Sequence, residues 1–175
     1  MTNFNSTKIF KGYSTAFRQW RADSHCQYIH GYALNFKVWF EGELDDTNYV
    51  YDFGSFKRNG IKKTLSEMFD HTTIIAEDDP KLETFKQLDN DGLIQLRTMD
   101  SVGCEKYAEW VYNLIDDKIY EETDGRVGVM KVECFEGGTD NSAIYEPKEK
   151  TTEYTEQAYN NNNNNNNIEI TKTFI

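Results

Sequence analysis

The stretch Tyr32-Ala33-Leu34-Asn35-Phe36-Lys37-Val38-Trp39-Phe40 alternates without a break, with Leu34, Phe36, Val38 and Phe40 on one side and Ala33, Asn35, Lys37 and Trp39 on the other. Successive side chains of an extended chain point to opposite faces, so a period of two predicts a half-buried β-strand. Upstream, Lys8 to Trp20 carries Ile9, Phe10, Tyr13, Phe17 and Trp20 with few helix formers and reads as a second extended segment. The polar loop Arg21-Ala22-Asp23-Ser24 leads from it into Ser24-His25-Cys26-Gln27-Tyr28-Ile29-His30-Gly31-Tyr32.

Downstream, Glu41 to Asn48 is an acidic turn region followed by a short extended piece, Tyr49 to Phe53. From Ser55, a plausible N-cap, the residues Phe56, Ile61, Leu65, Met68 and Phe69 include helical spacing and predict a helix ending at Asp70-His71. Asp79-Pro80 opens a second helix with Leu82, Phe85 and Leu88 facing inward. Leu93 to Arg97 reads as a short strand. Asp100 or Ser101 caps a third helix, in which Cys104, Tyr107, Ala108, Val111, Leu114, Ile115 and Ile119 trace one stripe. Strands are expected at Val127 to Phe135 and Ser142 to Tyr145, which makes the fold class α+β.

At 175 residues the chain suits one domain, placed at 1–147, and the 14 % aromatic content argues for a packed core. Residues 148–175 are polar, include eight consecutive asparagines at Asn160 to Asn167, and are expected to form a disordered tail. A formal net charge of -11 argues against a nucleic-acid partner, which would demand clustered Lys and Arg. A local basic pocket for a small anion remains compatible with that charge. Cys26, Cys104 and Cys134 are widely spaced with no paired motif, so neither a disulfide framework nor a structural zinc knuckle is expected. The N-terminus has no basic region followed by an apolar run, and no stretch approaches membrane-spanning length. A soluble, cytoplasmic protein with no membrane partner is the expectation.

Chemistry concentrates where histidine is scarce. Two of the three histidines, His25 and His30, flank Cys26, and the third, His71, follows Asp70. A thiol with neighbouring imidazoles can become a nucleophile or proton carrier, and a carboxylate beside an imidazole can orient it for proton relay. Each group also has a simpler reading: His25 and His30 as loop residues, Cys26 as a small buried hydrophobe, Asp70-His71 as a polar pair at a helix C-terminus.

The order of these groups resembles the 6-pyruvoyltetrahydropterin synthase and 6-carboxytetrahydropterin synthase family. The resemblance spans about Ile9 to Tyr145 and is most specific at Cys26-x-x-x-His30-Gly31, Val50-Tyr51-Asp52-Phe53 and Asp70-His71. It implies the tunnelling fold, an antiparallel sheet with helices on one face, whose subunits join their sheets into a barrel as homo-oligomers, trimers or hexamers, with active sites at subunit interfaces. It also implies that Cys26, Asp70 and His71 form the catalytic proton-relay set. Glu133 matches the glutamate that grips the pterin ring, Glu105 a second glutamate near it, and Cys104 lies where backbone groups meet the ring. A carboxylate suits that edge because it accepts two parallel N–H bonds from a 2-amino-4-oxo ring.

By the same resemblance the cofactor is zinc, held by three histidines, one near the end of the first strand and two in a His-Gly-His. Here His30 matches one ligand, Tyr32 replaces the second, and the first-strand position falls at Arg18 or a close neighbour. A catalytic zinc needs three protein ligands. His25 and Cys26 could complete a shifted set at the expense of the matched thiol, whereas Arg18 and Tyr32 are expected as metal-free replacements, with Arg18 and Arg21 meeting phosphate. The implied reaction is a lyase step on a pterin triphosphate such as 7,8-dihydroneopterin triphosphate, giving 6-carboxytetrahydropterin for deazapurine (queuosine-type) synthesis or the 6-pyruvoyl product. The alternative is a non-catalytic pterin- or purine-binding protein of the same fold.

Overall fold

Two long strands, β1 (Phe4–Phe17) and β2 (His30–Gly42), pair antiparallel from Phe4 opposite Gly42 to Phe17 opposite His30 in the computed structural model, which describes residues 2–138 and 140–148. The tail expected at 148–175 lies, beyond Lys148, outside the described residues. After β2 come α1 (Ser55–Arg58), α2 (Ile61–Phe69), β3 (Thr72–Ala76), α3 (Leu82–Asn90), β4 (Leu96–Met99), α4 (Cys104–Glu122), β5 (Val127–Glu136) and β6 (Ser142–Tyr145). They build one sheet of order β4-β3-β1-β2-β5-β6. The β1-β2-β5-β6 part is antiparallel, and β3 and β4 extend it in parallel.

The alternation in β2 sets the core. Leu34, Phe36, Val38 and Phe40 are fully buried and meet Phe10, Phe56, Phe69 and the α4 stripe under the helices. Aromatic edges lock this layer: Phe36 contacts Phe69 at 4.8 Å, Phe40 contacts Phe56 at 5.9 Å, and Phe69 contacts Tyr107 at 5.5 Å. The opposite face of β1, β2, β5 and β6 carries no helix among the described residues. It presents Ile9, Ile144 and Trp39, the last flanked by the ammonium groups of Lys37 at 4.4 Å and Lys131 at 5.2 Å. A bulge at Met130 switches which β5 residues face the helices, so Val127 and Val129 are followed by Val132 and Cys134.

Several elements differ from the sequence expectation. β3 is absent from it because all five residues, Thr72 to Ala76, are buried, and a strand buried on both faces shows no alternation. Gly60, at φ 83°, ends α1 and restarts the chain as α2, dividing the single helix expected from Ser55. Tyr49 to Phe53 is irregular: the Asp45 carboxylate accepts the Thr47 and Tyr49 amides, and Arg126 Nη1 takes the Val50 carbonyl at 3.0 Å. The fourth strand lies at Leu96 to Met99 rather than Leu93 to Arg97, and α4 starts at Cys104 because Gly103 is still extended at φ 122°.

Candidate active site

Where β1 and β2 end together, the chain between them forms a clipped loop. Residues His25 to Gln27 make one 3-10 turn, and the capping Ser24 hydroxyl accepts the Cys26 amide at 3.3 Å. The Gln19 amide donates to the Cys26 carbonyl at 2.9 Å, while its side-chain Nε2 donates to the Val102 carbonyl at 2.5 Å. Gln19 thus ties the backbone of the turn that carries Cys26 to the residues that open α4. Sequence reasoning missed this link because a glutamine in a loop carries no signal.

The second group follows α2. Asp70 caps the helix C-terminus through its amide to the Ser66 carbonyl, and its Oδ1 accepts the Ser14 amide at 3.3 Å and meets His71 Nδ1 at 3.0 Å. A carboxylate only accepts, so Nδ1 carries a proton, and in the neutral imidazole Nε2 is then the acceptor nitrogen. His71 holds φ 57°, an uncommon left-handed conformation for a residue with a side chain, and is largely exposed. The Asp70-His71 pairing expected from the sequence is therefore formed. His71 lines a cavity of about 420 Å³ with residues 14–16, 31–33, 72–73 and 93–95, Tyr32 included.

The third group is a ring cluster. The Phe17 ring lies 4.6 Å from His30 and 6.0 Å from Tyr32, His30 and Tyr32 are 5.6 Å apart, and Tyr107 meets Phe17 edge-on at 5.4 Å. His30 Nδ1 pairs with the Tyr28 carbonyl at 2.8 Å. Burial first, then the Glu136 carboxylate and the thiols of Cys26 and Cys104, push the Tyr32 pKa up, so this phenol keeps its proton. These influences place Cys26, Tyr32, Cys104 and Glu136 in one neighbourhood. Cys104 Sγ sits 3.6 Å from Cys134 Sγ between α4 and β5, and that sulfur contact, then burial, raises the Cys134 pKa. Glu105 occupies the first turn of α4. The Tyr107 hydroxyl is buried with no well-formed hydrogen bond among the described residues.

Two expectations change. Glu133 stands on the bare face, opposite Lys37, where its Oε1 accepts the Ser142 hydroxyl at 2.7 Å. Glu136, two residues past the buried Cys134, lies on the helix face and acts on Tyr32, Tyr107 and Cys134. The alternation Val132, Cys134, Glu136 was the available signal for it. Arg18 points away from the ring cluster: its Nε and Nη2 each meet an Asp79 oxygen at 2.7 Å, its Nη1 reaches the Gln27 carbonyl at 3.5 Å, and Phe17 is the residue opposite His30. A bidentate pair with a fully buried carboxylate leaves that guanidinium little to offer a phosphate.

A model of the family described as 6-pyruvoyl tetrahydropterin synthase matches residues 7–148. A Pyrococcus abyssi protein named "Putative 6-carboxy-5,6,7,8-tetrahydropterin synthase" is 27 % identical over 128 residues, 70 % of this chain and 78 % of that protein. Among solved structures, an uncharacterized protein from Wolinella succinogenes superposes with a TM-score of 0.71 at 21 % identity, covering 85 % of this chain and all of that one. The Caenorhabditis elegans 6-pyruvoyl tetrahydropterin synthase gives 0.57 at 19 % identity, covering 85 % of this chain and 98 % of its own. The architecture is thus the tunnelling fold of these synthases. With the match running across every described strand and helix from β1 to β6, the chain belongs to the 6-pyruvoyl tetrahydropterin synthase family.

Proposed function

We propose that the protein is a lyase acting on a reduced pterin triphosphate, 7,8-dihydroneopterin triphosphate being the substrate to try first, and forming 6-carboxytetrahydropterin or the 6-pyruvoyl product. The observation that supports this reading is the Asp70-His71 pair, whose acceptor nitrogen belongs to a ring lining the same cavity as Tyr32. His71 takes a proton from the substrate side chain, with Asp70 stabilising the imidazolium that results. Cys26 is the second proton carrier, held in place by Gln19. Glu136 and Glu105 are the carboxylates for the amino edge of the ring, in place of the Glu133 that the sequence suggested. Arg21, exposed, paired with Asp78 and stacked over Trp20, is the cation of the first loop more open to the triphosphate than Arg18. No described helix is long and apolar enough to cross a membrane, and a cytoplasmic homo-oligomer, trimer or hexamer, fits a sheet whose end strands β4 and β6 each have one neighbour.

Incubation with 7,8-dihydroneopterin triphosphate followed by mass analysis tests the reading. The protein should release a tetrahydropterin product, and Cys26→Ala and His71→Ala should each lower kcat by about 10²- to 10⁴-fold while the folded signal is kept. A pterin triphosphate bound but returned unchanged would leave only the non-catalytic binding role.

A further inference from the structure

The zinc that the family resemblance implies has three ligand positions, and the structure locates them. The first lies at the end of β1, where Phe17 is the register partner of His30, and Tyr32 follows two residues along β2 on the same face. The donor set there does not fit the metal. Phe17 has no donor atom. His30, with Nδ1 engaged by the Tyr28 carbonyl, offers Nε2 as its single donor. Tyr32 is a phenol, an O–H donor rather than a nitrogen, thiolate or carboxylate ligand. A catalytic zinc is held by three nitrogen, sulfur or carboxylate donors, and here one imidazole is available. Neighbours do not supply the rest: Arg18 is bound to Asp79, and among the described residues no group of three His, Cys, Asp or Glu side chains converges.

The position is built nonetheless. The three rings touch one another, Tyr107 packs edge-on against Phe17, and Phe17 is 2 % exposed. Of the three, Tyr32 alone carries a hydroxyl, and it is half-buried on the face of β2 that also bears Leu34 and Phe36. A phenol in this ring cluster does part of what a metal does, holding a substrate oxygen by an O–H donor, without creating a charge or a bound hydroxide. We propose that the rings of Phe17, His30 and Tyr32 fill the zinc position in this chain, and that the Tyr32 hydroxyl is the hydrogen-bond donor to the side-chain oxygen of the pterin. The second half rests on the function proposed above.

Two measurements on the full chain decide it. Purified without chelator and dialysed against equimolar zinc, the protein should hold less than about one tenth of a zinc per chain, whereas Phe17→His/Tyr32→His should gain about one, because His30 then has two partners in the tripod positions. About one zinc in the unaltered protein overturns the proposal, and so does a folded double variant that gains none. Tyr32→Phe keeps the ring and tests the donor if the double variant does not fold. It should weaken binding of 7,8-dihydroneopterin triphosphate by about 5- to 10-fold with an unchanged thermal midpoint. Equal binding by Tyr32→Phe, or no binding by the unaltered protein, overturns the donor role. Binding without turnover instead defeats the lyase reading and leaves this one standing.

Discussion

At the scale of the residue, the two glutamates of β5 carry the sharpest contrast. They are three positions apart, yet one faces the ring cluster and the other the bare face, since strand faces alternate. Glu136→Gln should raise KM for the pterin triphosphate by about 10- to 100-fold, and Glu133→Gln should leave it within about twofold. The family motif placed a glutamate near this point in the sequence, but parity is what picks the right one, and the bulge at Met130 means parity cannot be counted from the start of β5. Phe17 was overlooked for a related reason: a phenylalanine reads as core, and only its register with His30 marks the place as a ligand position. Tyr107 offers a test of the packing itself. Among the described residues its buried hydroxyl makes no well-formed hydrogen bond, a weak interaction with the Gly103 backbone aside, and burial drives its pKa well above the ordinary value. Tyr107→Phe should therefore be neutral or stabilising by about 1 kcal/mol, as read from a urea midpoint.

At the scale of the element, what was legible in the sequence depended on exposure. β2 was plain because one face is buried and the other is not, and α4 because its stripe runs for the whole helix. β3 was hidden by burial on both faces, and Gly60 was hidden because apolar spacing continues across it. The connection between elements that matters for the site is the Gln19 bridge from the Cys26 turn to the start of α4. Gly103 makes room for it: at φ 122° it holds a conformation L-residues avoid, and an added Cβ would collide with the Gln19 amide. Gly103→Ala should cost about 1–3 kcal/mol in a urea titration and lower kcat as the Cys26 turn loosens. A variant with unchanged kcat would separate α4 from the thiol.

At the scale of the whole molecule, two ion pairs join the two loops that leave the sheet at the same end, the exposed Arg21–Asp78 and the buried Arg18–Asp79, and the buried one carries the consequence. Arg18, from the β1-β2 loop, grips Asp79, from the β3-α3 loop, and the carboxylate also accepts the Lys81 amide at 2.8 Å. Burial alone would raise the Asp79 pKa, but the Arg18 hydrogen bonds and the Lys81 amide together hold it below the ordinary 3.8. Because the folded-state value is the lower one, the pair's stabilisation is complete above about pH 4 and is lost as the pH falls through the folded pKa. Asp79→Asn should cost about 3 kcal/mol at pH 7, and its deficit against the unaltered protein should shrink as the pH falls below about 4 in parallel urea titrations. The same pair limits the routes by which the sequence can drift. Loss of either partner leaves a charge stranded in a dry setting, so the intermediate is less fit than both ends, and positions 18 and 79 should change together or not at all. Aligned relatives would show the signature as a covarying pair, with arginine opposite aspartate in some lineages and two uncharged residues in the others.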